Sequence, residues 1–189
     1  MSDEILSFNT EQAAGYKVEG PETFDLVSEE HPILKKKLDN FDFANPPVNP
    51  EEFAATLAET CKLHRGLGLS ANQCGFEHRV FVMGDGNDYV AFFNPEITWS
   101  SDIPVHMVEG CLSFPFLALR VTRPETIRVK YQNYLGETKE TSFSGLSARC
   151  FQHELDHMNG IVYTSRAKPL ALQSGNQKRN KLMRRLRLR

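Results

Sequence analysis

Five consecutive residues, His153-Glu154-Leu155-Asp156-His157, constrain this chain more than any other stretch. On a helix, side chains four apart lie one above the other, so His153 and His157 can grip one metal ion. Glu154 then sits beside the first ligand, placed to reach a bound water without being a ligand itself. The surroundings predict a helix. Ser144 can cap its start, Gly145 to Met158 contain no proline, and Asn159-Gly160 is suited to a left-handed stop. Leu146 and Cys150 fall on the same stripe as the two histidines. The pattern alone is equally compatible with two histidines that satisfy core hydrogen bonds.

Two imidazoles do not complete a catalytic site, which takes three protein ligands and an open position for water. After His157 the chain contains no His, Glu, Asp or Cys, so the third ligand must lie upstream. The candidates are Cys111, His106, Cys150, His64 or a carboxylate. Cys150 lies one turn before His153 and suits the wall of a pocket better than a ligand position. Cys111 follows Gly110 in Glu109-Gly110-Cys111-Leu112-Ser113, and a thiolate with two imidazoles suits zinc or iron(II).

The chain of 189 residues is 40% hydrophobic and 24% charged, the balance of a water-soluble globular domain. No apolar run approaches the length that spans a membrane. The first thirty residues carry eight acids and a single base, Lys17, the wrong charge for a secretory or organellar leader. The four cysteines show no secreted-framework spacing. They read as reduced thiols of a cytoplasmic protein.

Three parts are expected: an acidic, weakly patterned extension over 1–25, a folded domain over 26–168 and a basic tail over 169–189. His31-Pro32-Ile33-Leu34 opens the regular part. A helix follows Asn49, with Pro50 at its first position and Glu52 completing a box-like cap. Phe53, Leu57, Cys61 and His64 make its buried stripe, and Gly66 ends it. Gly66 to Gln73 is a run of small residues ending in an amide. It follows a helix rather than a strand and lacks a third glycine, which argues against a phosphate loop. Strands are expected over 79–83, 88–93, 117–122, 125–131 and 138–143, with a hairpin turn at Tyr134 to Glu137. The fold class is α+β, with short antiparallel strands packed around a central metal-binding helix.

Gly66-Leu67-Gly68-Leu69-Ser70-Ala71-Asn72-Gln73, Glu109-Gly110-Cys111-Leu112-Ser113 and Gln152-His153-Glu154-Leu155-Asp156-His157 closely resemble, in order and approximate spacing, the three signature stretches of the peptide deformylases. The resemblance covers about Val27 to Arg166. It implies that Cys111, His153 and His157 hold one divalent metal ion, Fe2+ favoured and Zn2+ the alternative. It also implies that Glu154 is the general acid–base and that Gln73 and the N–H of Leu112 bind the oxyanion. Gly68 would line the substrate backbone, and Glu109 would pair with Arg123. The implied reaction is hydrolysis of the formyl group from the initiator methionine of nascent polypeptides. The methionine side chain would enter an apolar pocket walled by Leu67, Leu146 and Cys150. The implied protein is a cytoplasmic monomer without membrane contact. Two other classes stay open: a metallopeptidase cutting internal bonds, and a non-catalytic module in which metal only holds the fold. Ser70 stands where relatives often have alanine. Ala118 aligns with an arginine that some relatives carry near the pocket mouth, and Arg149, at an often apolar position, is expected to face solvent.

The last thirteen residues hold seven bases and no acid; since the whole chain is −2, residues 1–176 total −9. Leu182, Met183 and Leu186 would form a narrow stripe if this tail is helical. Such a tail frays into solvent, folds back onto the acidic body, or contacts ribosomal RNA.

Overall fold

The computed structural model describes residues 22–187. The expected acidic extension therefore lies mostly outside the described residues. Its last part does not behave as an extension, however. The Phe24 N–H donates to Thr60 Oγ1 at 2.9 Å, and its ring packs 5.4 Å from that of Phe53 and 4.7 Å from that of Phe76. Among the described residues, core packing thus reaches back at least to Phe24, upstream of His31.

Helix α1 runs Pro50–Leu63, and Asn49 Oδ1 accepts from the N–H groups of Glu51 and Glu52 at 3.0 and 3.3 Å. Phe53, Leu57 and Cys61, at steps of four, are buried. His64 is not on that stripe. The helix stops at Leu63, Arg65 turns the chain with φ 55°, and His64 is left exposed as the C-cap. Seven strands follow: β1 Gly68–Ser70, β2 Val80–Gly84, β3 Tyr89–Ser100, β4 Pro104–Cys111, β5 Phe114–Pro124, β6 Thr126–Gln132 and β7 Thr138–Ser144. A 3₁₀ turn, Ala71–Cys74, joins β1 towards β2. Helix α2 is Gly145–Met158, further 3₁₀ turns span Pro32–Lys35 and Tyr163–Arg166, and α3 is Pro169–Arg187.

The strands form two antiparallel sheets, one in the order β1-β2-β3-β6-β7 and a ribbon of β4 and β5. The turn at Tyr134 to Glu137 joins β6 to β7 as expected, with Gly136 at φ 78°. Strand β4 was not expected because its inward face, Val105, Met107, Glu109 and Cys111, is mostly half-buried and carries a charged residue. Only Glu109 among its residues is buried, and Val108 is 63% exposed.

Helix α2 is the axis of the molecule. Phe151, Leu155 and Met158 pack on Phe81, Phe92, Ile127 and Val129 of the larger sheet. Ser144 stands at its N-cap but makes no side-chain bond. Asn159 is its C-cap, and Gly160 follows at φ 71°. A second cluster joins α1 to β1, β2 and β3. A third joins Leu117, Leu119 and Val121 of β5 to Ile33, Leu34, Val162 and Tyr163. Helix α3 lies along β5. At Gly175 a Cβ would come 2.7 Å from Leu119 Cδ2, so a side chain there would push that leucine aside. Arg179 donates to Pro115 O at 2.9 Å and pairs with Glu29, which makes the first part of the tail a folded element. No helix among the described residues is long and apolar enough to cross a membrane.

Candidate active site

Three elements meet at one end of α2. The helix contributes His153, Glu154 and His157, the end of β4 contributes Glu109 and Cys111, and β1 with its 3₁₀ turn contributes Gly68, Ser70 and Gln73. The thiol of Cys111 and one ring nitrogen from each histidine lie within 4.8 Å of one another, the one such group of three among the described residues. Cys111 Sγ is 3.3 Å from His157 Nε2. His153 Nδ1 is 3.0 Å from Glu109 Oε2, which leaves Nε2 as its ligand atom. Of the other third-ligand candidates, His106 is exposed beside Thr122 Oγ1, and His64 and Cys150 stand in the cleft wall outside the cluster.

Glu109 is held from three directions. Arg123 donates to both its oxygens at 2.7 and 2.9 Å, Arg149 donates to Oε1 at 2.9 Å, and His153 bonds Oε2. Burial pushes this carboxyl up, but the bonds from Arg123 and His153 outweigh it and hold the group well below the usual carboxylate range. Arg123 also donates to Asp156 Oδ2 at 2.6 Å, and Arg166 pairs with the same carboxylate. The expected pair of Glu109 and Arg123 is thus the middle of a larger buried network. Arg149 belongs to it. Expected at the surface, it is 5% exposed and also donates to Val121 O and Val105 O at 3.2 and 2.6 Å. It lies four residues before His153, so the helical step that pairs the histidines also placed this guanidinium beside the site.

Gln73 is oriented by its own turn. Its Oε1 accepts from the N–H of Ser70 at 3.0 Å and from Ser70 Oγ at 2.9 Å. Its amide hydrogens therefore face the site, with Nε2 3.3 Å from Cys111 Sγ and 3.0 Å from Ser113 Oγ. Asn72, which the sequence reading passed over, donates to His157 O at 2.9 Å and ties the turn to α2. At Gly68 a Cβ would lie 2.6 Å from Glu154 Oε1 and 2.8 Å from Cys150 Sγ, so a side chain there would strike the acid–base candidate.

Glu154 is buried, and its Oε2 has no hydrogen-bond partner; the only other such buried side-chain atom among the described residues is His157 Nδ1. Burial pushes the Glu154 carboxyl up to about 7 against the pull of His153 and Arg123. An unpartnered buried carboxylate oxygen is costly unless something further binds there. Beside one sulfur and two nitrogen donors, it fits a site built for a divalent ion of the zinc or ferrous class together with its reactant.

The site opens into a cleft of about 540 Å³. Leu67, Gly68, Leu146 and Cys150 all line it, as do Gln73 and Leu112. Burial pushes the Cys150 thiol well above its ordinary value, so it stays protonated and serves as apolar wall. Ala118 is not part of the lining; Pro115 and Phe116 stand at the mouth instead.

Residues 24–173 match the sequence profile of the polypeptide deformylase family. The chain is 40% identical over 141 residues to the peptide deformylase of Thermotoga maritima, which covers 73% of this chain and 83% of that one. It is 42% identical over 136 residues to peptide deformylase 1 of Burkholderia multivorans, covering 70% and 75% of the two chains. The crystal structure of the Thermotoga maritima peptide deformylase superposes with a TM-score of 0.74 at 36% identity, over 78% of this chain and 99% of that one. A peptide deformylase from Synechococcus elongatus, solved in complex with actinonin, gives 0.78 at 28% identity over 87% and 91%. Since the matched span runs from Phe24 into α3 and contains every element that meets at the end of α2, the chain belongs to the polypeptide deformylase family.

Proposed function

We infer that this protein removes the formyl group from the initiator methionine of nascent polypeptides, releasing formate. The observation that carries the reading is the Glu154 carboxylate, buried with Oε2 unpartnered beside a Cys-His-His cluster at the head of an apolar cleft. Cys111, His153 and His157 would hold the divalent ion, with iron(II) favoured by the family and zinc the alternative. When bound, such an ion acidifies a water and polarises a carbonyl. Glu154 accepts a proton from the attacking water and delivers one to the departing amine, and burial, which raises its carboxyl, favours its holding that proton between the two steps. Gln73 Nε2 and the N–H of Leu112 donate to the oxygen on which negative charge grows.

Leu67, Leu146 and Cys150 take the methionine side chain. Among the described residues strand β1 pairs only with β2, so its outer edge at Gly68 is available to the backbone of an extended peptide. Formyl is the smallest acyl group, and the contact between Gly68 and Glu154 leaves little room for a larger one. The same reading has the enzyme act as a cytoplasmic monomer. The exposed bases Lys178, Lys181, Arg184 and Arg185 on α3 would be its contact with ribosomal RNA. The test is formate release from formyl-Met-Ala-Ser, with metal analysis of the same sample. No formate from protein carrying one equivalent of iron or zinc would sink the reading.

A further inference from the structure

Phe116 is in the wrong conformation for its type. Three non-glycine residues among the described ones have positive φ, and two have ordinary reasons: Arg65 ends a helix and Asn94 is of a type that tolerates the region. Phe116, at φ 65°, is an aromatic residue near the start of a strand, where a bulky side chain is a real outlier. The conformation is imposed from both sides. Arg179 of α3 holds Pro115 O at 2.9 Å, and Tyr163 donates to Leu117 O at 2.8 Å. The ring gains no core packing in return, for Phe116 is 55% exposed. Strain that the surroundings impose and burial does not repay points to use.

The ring stands in the lining of the cleft, and it has company. Val108 is 63% exposed, Leu146 57% and Leu67 43%, and all three line the same cleft. Val108, Pro115 and Phe116 come from the β4–β5 ribbon, while Leu67 and Leu146 come from the opposite wall. Exposed apolar side chains gathered round one opening mark a binding surface. With the methionine side chain against Cys150 and Leu146, the next atoms to reach this collar belong to the following residues of the same peptide.

We propose that Phe116, with Val108 of the same ribbon, selects substrates whose second and third residues are apolar. The inference rests on the deformylase reading, since the occupant is the chain that follows formyl-methionine. Partial burial of two leucines is worth about tenfold or more in affinity. The native enzyme should therefore show a kcat/KM about tenfold higher for formyl-Met-Leu-Leu than for formyl-Met-Ser-Ser.

In Phe116→Gly, which suits φ 65°, that ratio should fall to about twofold, with the loss for the leucine peptide in KM rather than kcat. The melting temperature should hold or rise because the strain is released, which separates recognition from folding. Phe116→Asn also tolerates the backbone and should behave alike, and Val108→Ser should lower the ratio independently. An unchanged ratio in folded Phe116→Gly or Phe116→Asn, or a native enzyme indifferent to these residues, would overturn the proposal. No turnover of any formyl peptide, formyl-Met-Ala-Ser included, would overturn the deformylase reading and this inference with it.

Discussion

At the scale of single residues, the site depends on which atoms are left without partners. Glu154→Ala removes the carboxylate but none of the three ligand atoms. It should keep a full equivalent of metal while kcat falls about 10²- to 10⁴-fold, the usual worth of a positioned acid–base. Steady-state assays on metal-analysed protein decide this, and retained turnover would take Glu154 out of the mechanism. Gly68→Ala should cost activity for a different reason, because its Cβ would come 2.6 Å from Glu154 Oε1. Either β1 or the carboxylate must shift, and a misplacement of that order can cost about 10²-fold. Wild-type turnover in that variant would mean that the strand yields freely. Glu154 was legible in the sequence from its place between paired histidines, and Gly68 from the resemblance of its run to the family's. Arg149 was not legible. An arginine is read as exposed by default, and its partners, Val105, Glu109 and Val121, lie 28 to 44 positions away on two other strands.

Between elements, the metal cluster is divided: two ligands ride on α2 and the third on a ribbon that, among the described residues, is hydrogen-bonded to no other strand. What holds Cys111 opposite the histidines is a pair of arginines. Arg149 of α2 reaches both strands of the ribbon, and Arg123 of β5 reaches back to Asp156 and to Gln152 O on α2. Breaking a buried network by removing one member leaves charges and carbonyls uncompensated. Arg149→Met is expected to weaken metal binding by about tenfold, in the range found when groups supporting a ligand are lost. Competition with a chromogenic chelator measures this, and Arg149→Lys should recover part of it by keeping a charge beside Glu109. Identical affinity in Arg149→Met would show that the ribbon is placed without it. Helix α2 itself could be read from the sequence, since its apolar and ligand positions share one period. Strand β4 could not, because its one buried side chain is a charged one.

For the molecule as a whole, the sequence pictured an acidic body with a basic tail, and packing moves the boundary between them. Leu172, Gly175 and Arg179 tie the first half of α3 to β5, Pro115 and Glu29, contacts that no local pattern announces. Cutting at residue 177 would therefore remove Arg179, one of the two braces of the segment that carries Phe116. Its effect would mix loss of the tail with damage at the cleft mouth. Cutting after Asn180 removes five bases, Lys181, Arg184, Arg185, Arg187 and Arg189, and keeps the brace. The shorter deletion should leave turnover of short formyl peptides within about twofold of the full chain, because the outer half of α3 makes none of the site's hydrogen bonds. If the bases contact ribosomal RNA, the affinity of the full chain for ribosomes should fall steeply with salt. The chain ending at Asn180 should bind more weakly and with a shallower slope, by about one unit of log K per log salt for each phosphate no longer neutralised. Sedimentation with ribosomes across a salt series gives both slopes. Equal slopes for the two chains would show that the bases beyond Asn180 neutralise no ribosomal phosphate.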